Sequence, residues 1–158
     1  MKLLITTFFV AILSALVPLV NIEAYLATVG ALVDQFGLWP VSFVAALGQT
    51  VGKAIWYEIG RQSMHWSYIQ KKIEQPKWQQ QYEKARHRAE SHVLGAASLV
   101  FLSATLGFPP MAVIAVVAGQ LDFHRWVFYA TTLVGRTLRF AALLGGISLL
   151  TQHTGLFH

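Results

Sequence analysis

A chain of 158 residues that is 55% hydrophobic and only 12% charged, with a mean hydropathy of +0.52, is not a soluble globular domain, which carries roughly 25% charged residues. It contains no cysteine, which excludes a disulfide framework, a thiolate metal site and a cysteine nucleophile. The net charge of +5 matters through where the bases lie, and the fold class expected is an all-α integral membrane protein forming one domain over residues 1–158.

Behind Lys2, the apolar run Leu3–Leu19 has the length of a signal-peptide core. Neither Leu13-Ser14-Ala15 nor Ile22-Glu23-Ala24 offers small residues at both cleavage places, so the run is expected to stay with the chain. It is shorter than the roughly 20 residues of a straight span, and Pro18 breaks it before Asn21, Glu23 and a second apolar piece, Tyr25–Val33. Two short helices around a proline predict a re-entrant hairpin. Asn21 is placed to cap the second helix, with Glu23 in its first turn, where the helix dipole favours a carboxylate. That structural role for Glu23 stands beside a functional one.

Leu38–Gly60 has the length of a full span, with Gly48 and Gly52 at the small-xxx-small spacing that lets helices, within a chain or between copies, approach closely. At 100° per residue Gln49, Gly52, Lys53, Trp56 and Gly60 share a side with Gly48, whereas Glu58 points away toward the interface. Lys53 therefore faces protein, although at about 10 Å from Gly60 its stem also allows snorkelling.

Arg61–His92 is the polar region. It carries seven bases (Arg61, Lys71, Lys72, Lys77, Lys84, Arg86, Arg88) and three acids (Glu74, Glu83, Glu90), so the positive-inside bias makes it cytoplasmic. Trp66, Tyr68, Trp78 and Tyr82 interleave with the bases, as in helices lying on a headgroup surface, which favours anionic lipid over nucleic acid as its contact.

The apolar run Val93–Leu121 is broken by Pro109-Pro110, which predicts either a second hairpin or a kinked single span. Asp122, His124, Arg125 and Trp126 form an interfacial belt before the last span, Trp126–Leu150. Arg136 lies about 15 Å into that span, and Arg139 follows one turn on. A central cation costs roughly 2.5–3.5 kcal/mol in hydrocarbon even on gentle scales, so both are expected to face a polar cavity or a buried partner.

The halves echo each other. Ala46-Leu47-Gly48-Gln49-Thr50-Val51-Gly52-Lys53-Ala54 reads against Leu133-Val134-Gly135-Arg136-Thr137-Leu138-Arg139-Phe140-Ala141, and each is preceded by a proline-broken apolar pair. If each pair is re-entrant, each half crosses once and the two form an inverted repeat, about 3–60 and about 93–150, joined by the cytoplasmic loop 61–92. Both termini would then lie outside the cytoplasm.

The series Pro18-x4-Glu23, Gly48-x3-Gly52-Lys53-x3-Tyr57-x2-Gly60-Arg61, Gly107-Phe108-Pro109-Pro110 with Ala118-Gly119, and Gly135-Arg136-x2-Arg139-Phe140 resembles the DedA superfamily. This is the VTT-domain group, and within it the likeness is to the small YqaA-like branch. The resemblance spans roughly Leu16–Gly145. It implies two re-entrant hairpins whose tips meet near mid-membrane in a bacterial inner membrane, and movement of phospholipids or polyprenyl-phosphate carriers between leaflets, in some members coupled to protons. The chain departs from the pattern at Lys53, where an acid is usual, and at Thr105 and Met111, where arginines are usual.

The function expected is lipid translocation. Arg136, Arg139 and Lys53 would bind the phosphate of an anionic lipid, and Glu23 would act as counter-charge or proton relay. Pro18, Pro109 and Pro110 would make the hairpin breaks, and Gly48, Gly52 and Gly135 the close helix contacts. The competing expectation is a scaffold protein in which Glu23 and Arg139 form a structural bridge. An enzyme is not expected: the six histidines show no HExxH spacing, there is no GxSxG elbow, and no metal or cofactor site is expected.

Overall fold

The computed structural model describes residues 1–17, 20–30, 37–67, 71, 74–107 and 110–154, the last four as backbone only. Pro18 and Pro109 therefore lie outside the described residues. Among those described there are seven α-helices and no strand: α1 (Lys2–Leu16), α2 (Ile22–Val29), α3 (Leu38–Ser63), α4 (Pro76–Ser91), α5 (Val93–Leu106), α6 (Met111–Gln120) and α7 (Arg125–Thr154). The chain divides into two compact units, Met1–Gly52 with Leu133–His158, and Lys53–Thr132. The division falls inside α3 and α7.

In the first unit α2 lies antiparallel against α1. The Ile22 amide donates to Ser14 Oγ at 3.2 Å, while further from the break the Thr7 and Tyr25 hydroxyls are 3.2 Å apart. At 1.5 Å per residue the two helices are about 22 and 12 Å long, each short of a hydrocarbon core of roughly 30 Å. Their buried face, Ala11, Ile22 and Leu26, joins Val41 and Ala45 of α3 and Phe140 and Leu144 of α7 in one apolar core. The backbone of α3 approaches α1 closely at Gly48, where an added Cβ would stand 2.6 Å from the Phe8 carbonyl oxygen and 2.8 Å from the Ala11 Cβ.

Asn21 starts α2, its Oδ1 accepting from the amides of Glu23 at 2.9 Å and Ala24 at 3.4 Å. An eight-residue helix has little stability of its own, so this cap weighs heavily. Asn21→Ala is expected to cost about 1 kcal/mol and Asn21→Asp much less, as read from thermal melting of the detergent-solubilised protein.

In the second unit α5 and α6 also run antiparallel. Ala104 and Met111 are buried near the turn, while at the other end Ala96 of α5 lines the same groove as Leu121 after α6. This geometry sets aside the kinked single span. Gly107 ends α5 in the left-handed region at φ 82°, and Pro110 supplies the N-cap of α6, a place where its missing amide hydrogen removes no helical bond. The ten residues of α6 make about 15 Å, half a hydrocarbon core. Tyr57 of α3 is buried beneath this pair, stacked on Phe128 with ring centroids 5.2 Å apart. α4 meets α5 at a bend of 94°.

Among the described residues, α7 over Arg125–Leu150 is the helix long and apolar enough to cross a membrane by length and composition. α3 is as long but carries Gln49, Lys53, Glu58 and Arg61, which lower its mean hydropathy. Its apolar character is concentrated instead on one exposed ridge, Trp39, Phe43, Leu47, Val51, Ile55 and Ile59. Each four-residue step turns this row by about 40°, so it winds about 200° around the helix while rising about 30 Å between the first and last of the six.

Candidate functional site

The capped start of α2 fixes Glu23 in its first turn, and the first unit's part of α7 brings Arg139 to it. Arg139 Nε donates to Glu23 Oε1 at 2.8 Å, and Arg139 Nη2 donates to the same oxygen. The two side chains are 23% and 33% exposed, so the pair is screened from solvent without being sealed. Charge-assisted bonds from a guanidinium fork are among the stronger hydrogen bonds in proteins.

Arg136 lies one turn earlier on α7. It is only 9% exposed, within electrostatic reach of both Arg139 and Glu23, and among the described residues its Nε has no hydrogen-bond partner. A buried guanidinium donor left unmatched is uncommon, because such a group ordinarily finds an acceptor. Two cations against one carboxylate leave this cluster with one positive charge in excess.

The surrounding core is not purely apolar. Thr7, Ser42 and Gln49 are buried in the same unit, and Gln49 Nε2 donates to the Ala11 carbonyl at 3.2 Å and to Ser14 Oγ at 3.1 Å. Gly52 holds α3 against Ala15, and Gly135 is buried on α7. Lys53 is buried on α3 and belongs to the second unit.

In the second unit, four charged residues of α3, α7 and the turn between α6 and α7 meet in ion pairs. Arg61 pairs with Asp122 at 3.1 Å, Arg125 approaches Glu58 to 3.9 Å, and the Tyr129 hydroxyl reaches Glu58 at 3.4 Å. These groups are 37–52% exposed where measured as ion pairs, so each pair stabilises by about 1 kcal/mol at most. The buried Tyr57 hydroxyl donates to the Phe123 carbonyl, and Tyr82 of α4 donates to the Gln120 carbonyl at 2.8 Å. Neither tyrosine contact was anticipated from sequence, because each joins residues far apart in the chain. The small residues Gly60 and Gly119 were the available signal. They mark where α3 and α6 touch backbone to backbone, Gly60 against Val116 and Gly119 against Tyr57.

Among the described residues no three His, Asp or Glu side chains gather as metal ligands. The arrangement that can do chemistry is the Glu23, Arg136 and Arg139 cluster, which can exchange one acceptor for another on a guanidinium. A family model described as the VTT domain matches residues 17–149 of the chain. No curated protein and no solved structure matches it at a significant level.

Proposed function

The chain belongs to the VTT-domain family, the membrane family of the DedA proteins, and from that premise we propose that it moves a phosphate-bearing lipid, a phospholipid or a polyprenyl-phosphate carrier, between the leaflets of a bacterial inner membrane. The observation that carries this reading is the buried Arg136 with an unmatched Nε beside the Glu23–Arg139 pair.

A lipid phosphodiester brings one negative charge, which balances the excess charge of the cluster. It also brings acceptor oxygens for Arg136 and for whatever part of Arg139 it takes from Glu23. Glu23, released from its pair as lipid enters, is the carboxylate on which a proton would be exchanged. The buried polar groups Thr7, Ser42 and Gln49 give a headgroup something other than hydrocarbon to meet, while acyl tails remain in the bilayer.

The membrane setting is supported by the ridge on α3, about 30 Å long, and by the apolar length of α7. In each half a longer helix, a shorter one and a long one follow in order, 15, 8 and 26 residues against 14, 10 and 30. That recurrence supports a repeat, and the seven bases of the loop 61–92 support placing it in the cytoplasm with both termini outside.

In vesicles of defined lipids containing the purified protein, a labelled anionic phospholipid is expected to cross leaflets faster than in protein-free vesicles. Equal rates would overturn the reading. The Glu23–Arg139 pair also fits a second reading, a scaffold protein that uses the pair as a structural bridge. That reading requires Arg139→Ala either to unfold the protein in detergent or to leave lipid crossing intact.

A further inference from the structure

The second unit contains a groove that the translocation reading does not use. It is a shallow recess with about 80 Å³ of room, well short of a ligand pocket and enough for a few methylenes, and its wall is almost wholly apolar. Ala96 and Leu99 of α5 form one side, Ile114 of α6 with Leu121 and Phe123 the other, and Ala89 of α4 closes one end. Leu99 and Val117 are 48% and 41% exposed, so the groove opens laterally onto the apolar outer surface of the α5–α6 pair.

The closing helix is basic and polarised. Tyr82, Ala85 and Ala89 are its partly buried residues, and their spacing places them on one face, held by the bond from Tyr82 to Gln120. Lys77, Lys84 and Arg88 follow the spacing i, i+7 and i+11, which puts three cations on one flank about a third of a turn from Ala89, a distance their long stems can span. Both acids of the helix, Glu83 and Glu90, fall on the opposite flank. There Glu90 accepts from Arg86 at 2.9 Å. Trp78, 51% exposed, extends the groove-facing side by one turn. With α5 along a membrane normal, the 94° bend lays α4 in the plane of the surface, the headgroup level at which such a tryptophan sits.

We infer that this groove seats a few methylenes of one acyl chain of an anionic phospholipid, the rest of the chain lying in the bilayer, with its phosphate on the Lys84 and Arg88 flank of α4. The lipid is a resident one, distinct from any lipid that passes the Glu23, Arg136 and Arg139 cluster. The lining accepts hydrocarbon and nothing polar, and the flank supplies two cations with no carboxylate between them. The lateral opening admits a chain from the bilayer while its headgroup stays at the surface.

The test uses the full chain, stripped of lipid in mild detergent, with phosphatidylglycerol or phosphatidylcholine added singly and retention read by native mass spectrometry. One phosphatidylglycerol per chain is expected to persist under activation that removes phosphatidylcholine. Lys84→Gln and Arg88→Gln are each expected to lower its retention roughly fivefold. Ala96→Trp, which fills the groove and leaves the bases in place, is expected to abolish retention. Should Ala96→Trp not elute as a single folded species, Val117→Trp at the open edge blocks the same space from a half-exposed position.

Equal retention of phosphatidylcholine would overturn the role of the flank. Unchanged phosphatidylglycerol retention in a folded groove-filling variant would overturn the groove. A dimer that excludes added lipid and dissociates on Ala96→Trp would show that a second copy of the chain is the occupant, which also overturns the assignment. Retention is read without any measurement of crossing, so a chain that moves no lipid still tests this site.

Discussion

In vesicles where the unaltered protein speeds lipid crossing, Arg136→Ala combined with Arg139→Ala is expected to return the rate to that of protein-free membrane, a loss of about 100-fold or more. The magnitude follows from what the two guanidiniums supply. A hydrogen bond to a charged group is worth about 1.5–3 kcal/mol, the phosphate stands to receive more than one, and each 1.4 kcal/mol is a factor of ten in rate. Removing Arg139 alone also leaves Glu23 without the partner that holds it, so a lost activity in that single variant would mix two causes. The variant Glu23→Gln with Arg139→Gln removes both charges together and keeps polar side chains of similar reach. It is expected to melt within a few degrees of the unaltered protein and still to move lipid poorly. Full crossing activity in a folded Arg136→Ala, Arg139→Ala protein would sink the assignment of these residues and favour the scaffold reading.

The second large effect concerns folding. Gly119→Val is expected to prevent the protein from eluting as a single folded species, with a destabilisation of about 3 kcal/mol or more. A Cβ at Gly119 would fall on the Tyr57 carbonyl oxygen and stand 2.8 Å from the Arg61 amide nitrogen. Both are backbone atoms inside α3, so no side chain can swing aside to admit the methyl groups. Gly60, which faces the Val116 backbone, should behave alike. Gly146 on α7 has nothing within 4 Å of an added Cβ, and Gly146→Ala is expected to be neutral or to stabilise by up to about 1 kcal/mol through helix propensity. A Gly119→Val protein with melting behaviour close to that of Gly146→Ala would show that α3 and α6 do not meet at this crossing.

What could be read from the chain without coordinates was what is local. Asn21 two residues before Glu23 is a cap by chemistry and spacing alone, and the structure has that cap. The VTT-domain membership was legible for a related reason, since its motifs are short runs whose order along the chain survives without knowledge of packing. Pro109-Pro110 left a hairpin and a kinked span open, because proline specifies that a helix stops and says nothing about the direction taken next. The antiparallel course of α5 and α6, which puts Ala96 and Leu121 on the same groove, favours the hairpin. The ion pairs of the second unit were harder to foresee. Arg61 and Asp122 are 61 positions apart in sequence, and their meeting depends on how α6 lies on α3, which two glycines control. The Glu23–Arg139 pair, 116 positions apart, was nevertheless anticipated as one of two readings. A lone acid and a deep cation in an apolar chain have few other partners to choose from.

The brevity of α6 carries a consequence for biosynthesis. A ten-residue helix is too short to halt a chain passing through an insertion channel, so in a membrane α6 would not insert as an independent event. In the proposed topology it would go in folded against α5, once synthesis has passed Gln120. The second half would therefore be committed to the membrane in two steps, a hairpin and then α7. An interruption of translation between Leu106 and Gln120 would leave α5 without the helix that packs against it.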